Sequence, residues 1–433
     1  MKSKKQENPV NGQADEVAQV RRTSGDGRSA VVRMLGRRAS FWVVTAVVAH
    51  TLWTSAAPSM TYRLYASEWG LSPAETTAIF AVFPIVVVAV LIFSGDISDY
   101  IGRRSTLLIG LSSSLVGTVL FAIAPSVLWV FAGRAFIGLG VGLCAGPAAA
   151  ALLEFSAAGQ ETRASSINTL AQAVGLALAT IVCGALIQYA PYPTHLNFWV
   201  LWVVLAILFA AAWFLPRTVS NKAPGRWQPK LPCIPRGIRK IFAASALAAA
   251  SGYAIGGLMM SLGAQIAHDL VGSDNAFVNG VAIALFAVAA GVVAVPGKRL
   301  TPRAAITVGG ASAIAGAALL ALSTARHSLP TFVAAATAGG IGFSLMYSGG
   351  LSLINANAPA DRRGGVLSAL YLVAFAMQAV IVLLLGATAT TWGLGVAVDL
   401  GAVAIAVLSI CTIGLAVDRN DQAVGGGPSC PVV

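Results

Sequence analysis

Twelve long apolar runs constrain the fold of this chain of 433 residues more than any other feature. A helix needs about 20 apolar residues to cross the roughly 30 Å hydrocarbon core of a bilayer. Each run has about that length, and proline, glycine or charged residues separate it from the next. The runs cover about residues 41–62, 74–95, 105–124, 126–150, 164–190, 195–215, 241–265, 276–296, 304–324, 330–354, 365–387 and 391–417. The pattern predicts an all-α membrane protein with twelve transmembrane helices.

The composition excludes the soluble classes of protein. Hydrophobic residues make up 57% of the chain and charged residues only 10%, whereas soluble domains carry about 25% charged residues. In a soluble protein, the net charge of +12 would suggest a nucleic-acid partner. Here the basic residues lie mainly in tails and loops between apolar runs, so we expect membrane lipid and no nucleic acid as a partner.

The positions of the basic residues predict the orientation in the membrane. If both termini are cytoplasmic, 25 of the 28 Lys and Arg residues lie on the cytoplasmic side. Cytoplasmic loops are enriched in these residues. We therefore expect a multi-pass protein of the plasma or inner membrane with both termini inside the cell.

The chain divides into two similar halves. Shifting the sequence by 200 residues aligns Gly110 with Gly310 and Ser112 with Ser312, and internal repeats are typical of secondary transporters. We predict two pseudo-symmetric six-helix bundles joined by a basic, proline-rich cytoplasmic linker. The predicted segments are a disordered basic cytoplasmic tail at 1–39, the first bundle at 40–215, the linker at 216–240, the second bundle at 241–417 and a cytoplasmic tail at 418–433.

The loop after the second run carries the most specific motif. It reads Gly95-Asp96-x2-Asp99-x2-Gly102-Arg103-Arg104 and resembles the GxxxDxxGRR signature of the major facilitator superfamily at every fixed position. Glycines permit a tight turn, and Asp99 could meet a helix N-terminus or a base of the other half. The resemblance implies a conformational switch; the alternative is an ordinary basic turn on the cytoplasmic side.

The fourth and fifth runs carry further candidate motifs. Arg134 is followed at four-residue spacing by Gly138, Gly142 and Gly146, which places all four on one helical face. We expect these small residues to allow close helix packing. This pattern resembles the superfamily's RxxxG motif, which is associated with proton transfer. Because a charge within the hydrocarbon costs about 3 kcal/mol, Arg134 should face a cavity or a partner, unless it reaches the outer surface.

In the fifth run, small residues favour close helix packing, and the run resembles an eroded antiporter motif. The glycines that remain from this motif are Gly175 and Gly184.

A few polar side chains inside or beside the runs are candidates for the site, because ionisable groups in a membrane are functional candidates. His50 could titrate near neutral pH, although it could equally be a core histidine. The candidates for proton coupling or substrate binding are Arg134, His50 and Asp399. The cavity candidates are Tyr65, Gln172, Tyr347 and Gln378. The candidates for a cytoplasmic gate beside the Asp99 loop are Glu154 and Arg163.

The resemblance implies a secondary active transporter of a small organic solute that works by alternating access. Proton-coupled export of an amphipathic compound is the function expected first. The same fold could instead serve an uptake permease or uniporter, and a membrane sensor or scaffold without transport is the alternative of a different class. We expect a monomer that is not an enzyme. No cofactor or metal is implied, because the five cysteines form no CxxC pair and no ATP-binding GxxxxGK[ST] loop occurs.

The loop motif yields a prediction for Asp99. Asp99→Asn keeps the shape of the side chain but removes its charge, so we expect slower transport at an unchanged amount of protein in the membrane. The measurement is the transport rate normalised to inserted protein. Asp96→Asn is the matched control, because it removes the same charge at a position that the signature does not fix. Equal rates for both variants and the wild type would contradict a switch role for Asp99.

Overall fold

A computed structural model describes residues 34–94, 97–157, 160–216, 234–359 and 363–417. Within these ranges, twelve helices are long and apolar enough to cross a membrane, which confirms the predicted number. They are α1 (Arg37–Ala56), α2 (Pro73–Ser94), α3 (Arg103–Ala122), α4 (Val127–Phe155), α5 (Glu161–Tyr189), α6 (Leu196–Trp213), α7 (Arg239–Gln265), α8 (Ala276–Gly297), α9 (Pro302–Ala325), α10 (Leu329–Asn357), α11 (Arg363–Trp392) and α12 (Leu394–Val417).

The first apolar run forms a bent element rather than one regular helix. After α1 the chain continues as a 3₁₀ turn at Ala57–Met60 and a short helix at Tyr62–Trp69. Pro58 lies in the turn, and a proline cannot supply the N–H that a continuing α-helix needs. Gly70 ends the short helix with a φ of +64°, a conformation that suits glycine at a helix C-terminus.

Side-chain caps fix the starts of three helices in the second half. Asn275, Thr301 and Ser328 precede α8, α9 and α10, respectively. The side-chain oxygen of each accepts a hydrogen bond from the backbone N–H three residues later. Such caps satisfy backbone donors that have no partner within the helix, which explains why these helices begin where they do.

The packing of the helices repeats between the two halves, as the predicted pseudo-symmetry requires. In the first half α1 packs on α4 and α5, and α2 packs on α4; in the second half α7 packs on α10 and α11, and α8 packs on α10. Helices α3 and α6 pack together in the first half, and α9 and α12 do so in the second. The main contacts between the halves pair α2 with α11 and α5 with α8.

Glycines allow several of these helices to approach closely. A Cβ atom added at Gly175 would lie 1.9 Å from the carbonyl oxygen of Ala49, where α5 crosses α1. At Gly184 it would lie 2.6 Å from the carbonyl oxygen of Ala276, between the two halves. Small residues serve the same purpose in many membrane proteins, where helices associate by close packing.

The glycines of α4 do not all have the predicted packing role. A Cβ atom at Gly138 would lie 3.0 Å from the Phe83 carbonyl oxygen, and one at Gly142 would lie 2.9 Å from the Cβ atom of Val90, so both positions pack on α2. At Gly146 a Cβ atom would meet nothing within 4 Å. The packing role predicted for Gly146 is therefore wrong, because this part of α4 has no neighbouring helix beside the glycine.

The predicted tails and linker lie mostly outside the described residues, which exclude 1–33, 217–233 and 418–433. The described end of the linker forms a 3₁₀ turn at Arg236–Ile238, and α7 begins at Arg239, two residues before the predicted boundary. Helix α1 begins at Arg37, within the segment predicted as the first tail.

The difference between Gly175 and Gly146 can be tested by alanine substitution. Gly175→Ala should lower the melting temperature of the purified protein, because the new methyl group meets a helix carbonyl that cannot move independently, and such overpacking costs about 1–3 kcal/mol. Gly146→Ala adds the same atom where no other helix lies within 4 Å, so it should lower the melting temperature far less than Gly175→Ala. Thermal unfolding followed by tryptophan fluorescence measures both. A Gly175→Ala variant as stable as Gly146→Ala would contradict the close approach of α5 and α1.

Candidate functional site

Six aromatic rings from four helices meet in the second half, and we call this group the aromatic cluster. Its members are Tyr253 on α7, Phe286 on α8, Phe343 and Tyr347 on α10, and Tyr371 and Phe375 on α11. Five of the rings are half-buried, and only Phe286 is fully buried. A cluster that keeps part of its aromatic surface accessible can offer that surface to a ligand.

The contacts within the aromatic cluster centre on Tyr253. Its ring centroid lies 4.7 Å from Phe375, 5.8 Å from Tyr347 and 5.9 Å from Phe343, each in an edge-to-face arrangement. Phe343 and Tyr347 lie nearly parallel, with their centroids 6.2 Å apart. The hydroxyl groups of Tyr347 and Tyr371 are 2.9 Å apart and share a hydrogen bond. The cluster therefore combines apolar ring faces with a pair of hydroxyl groups that can donate or accept.

Sequence analysis identified Tyr347 but missed the other five members of the aromatic cluster. A local signal exists, because Phe343 and Tyr347 are four residues apart on α10, and Tyr371 and Phe375 are four residues apart on α11. Such spacing places two side chains on one helical face. Aromatic residues in an apolar run are common in cores and at lipid surfaces, so the spacing acquires meaning only when the two helices are placed together.

Gln378 lies on α11, three residues after Phe375. Its side chain is buried and packs over Gly257 of α7, and its Oε1 atom has no hydrogen-bond partner among the residues that the structure describes. A buried polar atom without a partner calls for an explanation, and a polar group of a ligand would provide one. Gln172 of α5, the other predicted cavity glutamine, is half-buried and makes no side-chain hydrogen bond within the described part of the chain.

Arg134 of α4 is fully buried, so its guanidinium does not reach the outer surface. It donates to the carbonyl oxygen of Ser55 at 2.6 Å and to the hydroxyl group of Tyr62. The rings of Tyr62, Phe80 and Phe83 surround it, with centroids 5.2–5.8 Å from the guanidinium carbon. Cation–π contacts and hydrogen bonds, rather than a carboxylate, therefore stabilise this charge, and they connect α4 to the end of the first transmembrane element.

His50 of α1 is buried but is not bonded to Arg134. Its Nδ1 atom lies 2.5 Å from the carbonyl oxygen of Val47, and its Nε2 atom has no partner. The groups on this element that bind Arg134 belong to Ser55 and Tyr62, more than one helical turn further along the chain. The two residues predicted to act together in proton coupling thus have separate partners.

Two other predicted site residues lie away from the aromatic cluster. Tyr65 is 1% exposed, donates to the carbonyl oxygen of Thr194 at 3.3 Å and stacks on Trp69 at 4.7 Å. It therefore fastens the short helix to the connection between α5 and α6 and does not line a cavity. Asp399 is exposed near the start of α12 and has no side-chain hydrogen bond within the described residues.

The described part of the Asp99 loop is held by an ion pair within the first half. Arg103 at the start of α3 lies 2.5 Å from the Oε1 atom of Glu154 at the end of α4. Arg163 instead donates to the Oε1 atom of Gln160 at 3.3 Å, so Glu154 and Arg163 do not pair with each other. Gly102 precedes α3 with a φ of +89°, which suits glycine. Gly95, Asp96 and the side chain of Asp99 lie outside the described part.

A cluster of four charged or titratable side chains joins the halves at the end of the molecule opposite the Asp99 loop. We call it the His268 cluster; it contains Arg63, His268, Asp269 and Asp274. Arg63 lies on the short helix after α1, and His268 lies in a π-helical turn at Ile266–Leu270 that continues α7. The sequence analysis identified none of the second-half members, because charged residues between apolar runs are expected at any membrane surface.

The protonation of His268 decides which bonds the His268 cluster can make. Its Nε2 atom is 2.7 Å from a guanidinium nitrogen of Arg63 and 3.2 Å from a carboxylate oxygen of Asp274. A neutral Nε2 can accept from Arg63, whereas a protonated Nε2 can only donate, and so it bonds Asp274. The Nδ1 atom donates to Asp269 at 2.7 Å in either case. The cluster can therefore replace the Arg63–His268 hydrogen bond, which joins the halves, with the His268–Asp274 hydrogen bond, which lies within the second half.

Further polar contacts join the halves near both ends. Opposite the Asp99 loop, the N–H of Ala74 donates to Thr390 and the N–H of Ala276 donates to Gln188, both at 2.8 Å. On the Asp99 side, Lys298 donates to the hydroxyl group of Ser166 at 2.9 Å, and desolvation lowers the pKa of this lysine. Such contacts must break and re-form if the halves are to move relative to each other.

The His268 cluster can be tested with Arg63→Gln. This change removes the charge that contacts His268 and Asp269 across the halves, and partly exposed ion pairs of this kind contribute about 1 kcal/mol at most. We expect a cysteine placed at the buried Ser59, in otherwise cysteine-free protein, to react severalfold faster with a hydrophilic maleimide. Arg326→Gln is the matched control, because Arg326 is exposed at the same end and makes no side-chain contact between the halves. Equal labelling rates for both variants would show that Arg63 does not hold this end closed.

Comparison with known proteins finds partial matches to two transport proteins. The chain is 24% identical over 150 residues to the sugar transporter ERD6-like 6 of Arabidopsis thaliana, covering 35% of this chain and 28% of that protein. It is 33% identical over 121 residues to the multidrug efflux pump LfrA of Mycolicibacterium smegmatis, covering 27% of this chain and 24% of that protein. The matched segments thus span about a quarter of these relatives.

A solved structure supports the fold over nearly the whole length of both molecules. The POT family transporter PepTSo superposes with a TM-score of 0.73 at 13% identity, covering 90% of this chain and 99% of that one. At this identity the likeness concerns the fold alone. The family model of the major facilitator superfamily matches residues 42–382. Since this match covers most of the chain and includes nine of the twelve helices completely, with most of α1 and part of α11, the protein belongs to the major facilitator superfamily of membrane transporters.

Proposed function

We propose that this protein is a secondary active transporter that exports a small amphipathic organic solute, and that the aromatic cluster binds this solute. The observation that carries the proposal is the meeting of five half-buried rings from α7, α10 and α11 at one place, together with the Tyr347–Tyr371 hydroxyl pair. A mostly apolar concave surface with a few polar groups is typical of small-molecule sites.

The chemistry of the aromatic cluster favours a solute with an apolar, preferably aromatic, body and one polar group. Aromatic contacts contribute about 0.5–1.5 kcal/mol each beyond the burial of area, and they do not demand a single shape. The tyrosine hydroxyl groups and the free Oε1 atom of Gln378 can orient a polar group. Among the described ring and hydroxyl contacts of these six residues, none is made with an Asp, Glu, Lys or Arg, which disfavours a solute that requires a counter-ion.

Proton coupling and export are the finer parts of the proposal. The RxxxG motif at Arg134 and the partial likeness to the efflux pump LfrA support them. Arg134 and His50 remain candidates on α4 and α1, and the His268 cluster is a second place where a titratable side chain could connect proton binding to the movement of the halves. Uptake or uniport on the same fold is the alternative. A uniporter would not respond to a pH gradient, and a proton-coupled uptake permease would move the solute in the same direction as the protons.

Transport by aromatic variants tests the proposed site. Proteoliposomes containing the full chain are loaded with a panel of probes, namely a neutral aromatic amphiphile, a planar cationic dye and a hexose, with and without an imposed pH gradient. We expect gradient-driven transport of the neutral amphiphile. Phe343→Ala and Tyr347→Ala should each lower its initial rate about tenfold, because each removes one wall of the site. Tyr347→Phe keeps the ring, so it separates the contribution of the hydroxyl group.

The matched control for these variants is Phe136→Ala, which removes a 40% exposed ring on α4 in the first half, whereas the aromatic cluster lies in the second half. Wild-type rates in both Phe343→Ala and Tyr347→Ala would place the solute elsewhere. Transport of the amphiphile that ignores the pH gradient would favour a uniporter, and preferential transport of the hexose would contradict the proposed class of solute. If the wild-type protein, correctly inserted, moves no probe of the panel, the proposed class of solute is wrong.

A further inference from the structure

A pocket that plays no part in the proposed transport site lies at the Asp99 end of the first half. It encloses about 400 Å³ between the start of α1 and the connection from α4 to α5. We call it the arginine pocket. Its described lining consists of Arg37, Arg38, Phe41, Trp42, Phe155, Ser156, Ala157, Gln160, Arg163 and Ala164. Three of these residues are arginines, and none of the residues in this lining is an aspartate or glutamate.

The positive charge of the arginine pocket is only partly compensated by the protein. Arg37 donates through Nε to the carbonyl oxygen of Phe155 at 3.3 Å and through a terminal nitrogen to the carbonyl oxygen of Ser156. Within the described residues, Arg163 makes one side-chain hydrogen bond, to Gln160. Arg38 is exposed and has no side-chain partner among the residues that the structure describes. The pocket thus holds guanidinium donors that remain free for an anion, and arginine binds phosphate strongly because its planar donors can form two parallel bonds.

The arginine pocket lies at the depth where the membrane-spanning segments end. Arg37 begins the first candidate span, Phe155 ends the fourth and Arg163 begins the fifth. Trp42, one turn further into the membrane, is 54% exposed and contacts Phe41 edge-to-face at 5.5 Å. Tryptophan is enriched at the level of the lipid headgroups. One wall of the pocket therefore continues into the surface that faces the acyl chains, whereas a site for a soluble anion would not need such a wall.

We propose that the arginine pocket binds the phosphate headgroup of an anionic phospholipid, with the acyl chains of the lipid running along Trp42. The distribution of basic residues predicts that this end faces the cytoplasm, and the cytoplasmic leaflet carries the anionic lipids. Arg38 and Arg163 bind the phosphate, while Arg37 holds α1 against the end of α4 and shapes the floor of the pocket. The bound lipid thereby lies between α1, α4 and α5 of the first half.

Native mass spectrometry of the purified full-length protein tests this proposal. Phosphatidylglycerol or phosphatidylcholine is added at increasing concentration in detergent, and the fraction of protein that retains lipid is measured. The test variant is Arg38→Gln with Arg163→Gln, which leaves the structural bonds of Arg37 intact. The matched control is Arg299→Gln with Arg303→Gln, because these arginines are exposed at the same end of the molecule but in the second half.

The wild type should retain phosphatidylglycerol in preference to phosphatidylcholine. The test variant should lower the apparent affinity for phosphatidylglycerol about tenfold, given the attraction that each arginine near the surface exerts on anionic lipid; the control should stay close to the wild type. Thermal unfolding without added lipid checks that all three proteins are folded. Equal affinity of the test and control variants for phosphatidylglycerol would overturn the proposal, and so would equal retention of the two lipids by the wild type. Displacement of the lipid by millimolar inorganic phosphate would also overturn it, since the ligand would then be free phosphate.

Discussion

The absence of water from the bilayer interior governs the whole structure of this protein. Every backbone N–H and C=O group in the hydrocarbon must find a partner within the chain, and a helix provides one for each. The surfaces of neighbouring helices are about as apolar as the lipid tails. The hydrophobic effect therefore does not determine which helices pair with each other. Close contact decides instead, as where Gly175 allows α5 to touch the backbone of α1. The position of each of the few polar side chains in the membrane interior therefore matters for the structure.

The two halves hold different polar side chains in their interiors. The first half contains the buried Arg134, whose charge is stabilised by carbonyl, hydroxyl and ring contacts. The second half contains the aromatic cluster, in which a pair of tyrosine hydroxyl groups provides the polar contact. The two halves share a fold and a packing pattern but differ in chemistry.

The number and approximate ends of the helices could be predicted from the sequence because hydropathy acts residue by residue along the chain. The sequence does not predict which face of a helix contacts which neighbouring helix. Gly142 and Gly146 belong to the same four-residue repeat on α4, yet Gly142 packs on α2 and a Cβ atom at Gly146 would meet nothing within 4 Å. Arg134 binds groups that are 79 and 72 residues away along the chain. The aromatic cluster likewise depends on α7, α8, α10 and α11 coming together, which no local spacing specifies.

The burial of Arg134 affects how well the protein excludes cations from the membrane interior. Its guanidinium is held in the low-dielectric interior by neutral groups, and within the described residues no carboxylate cancels its charge. Electrostatic repulsion is long-ranged in such surroundings, and fixed positive groups exclude protons and other cations from membrane pores. A stray cation that enters between the helices of the first half therefore meets a repulsive field near Arg134. The same residue that fastens α4 to the first transmembrane element thus opposes the leak of cations through the first half.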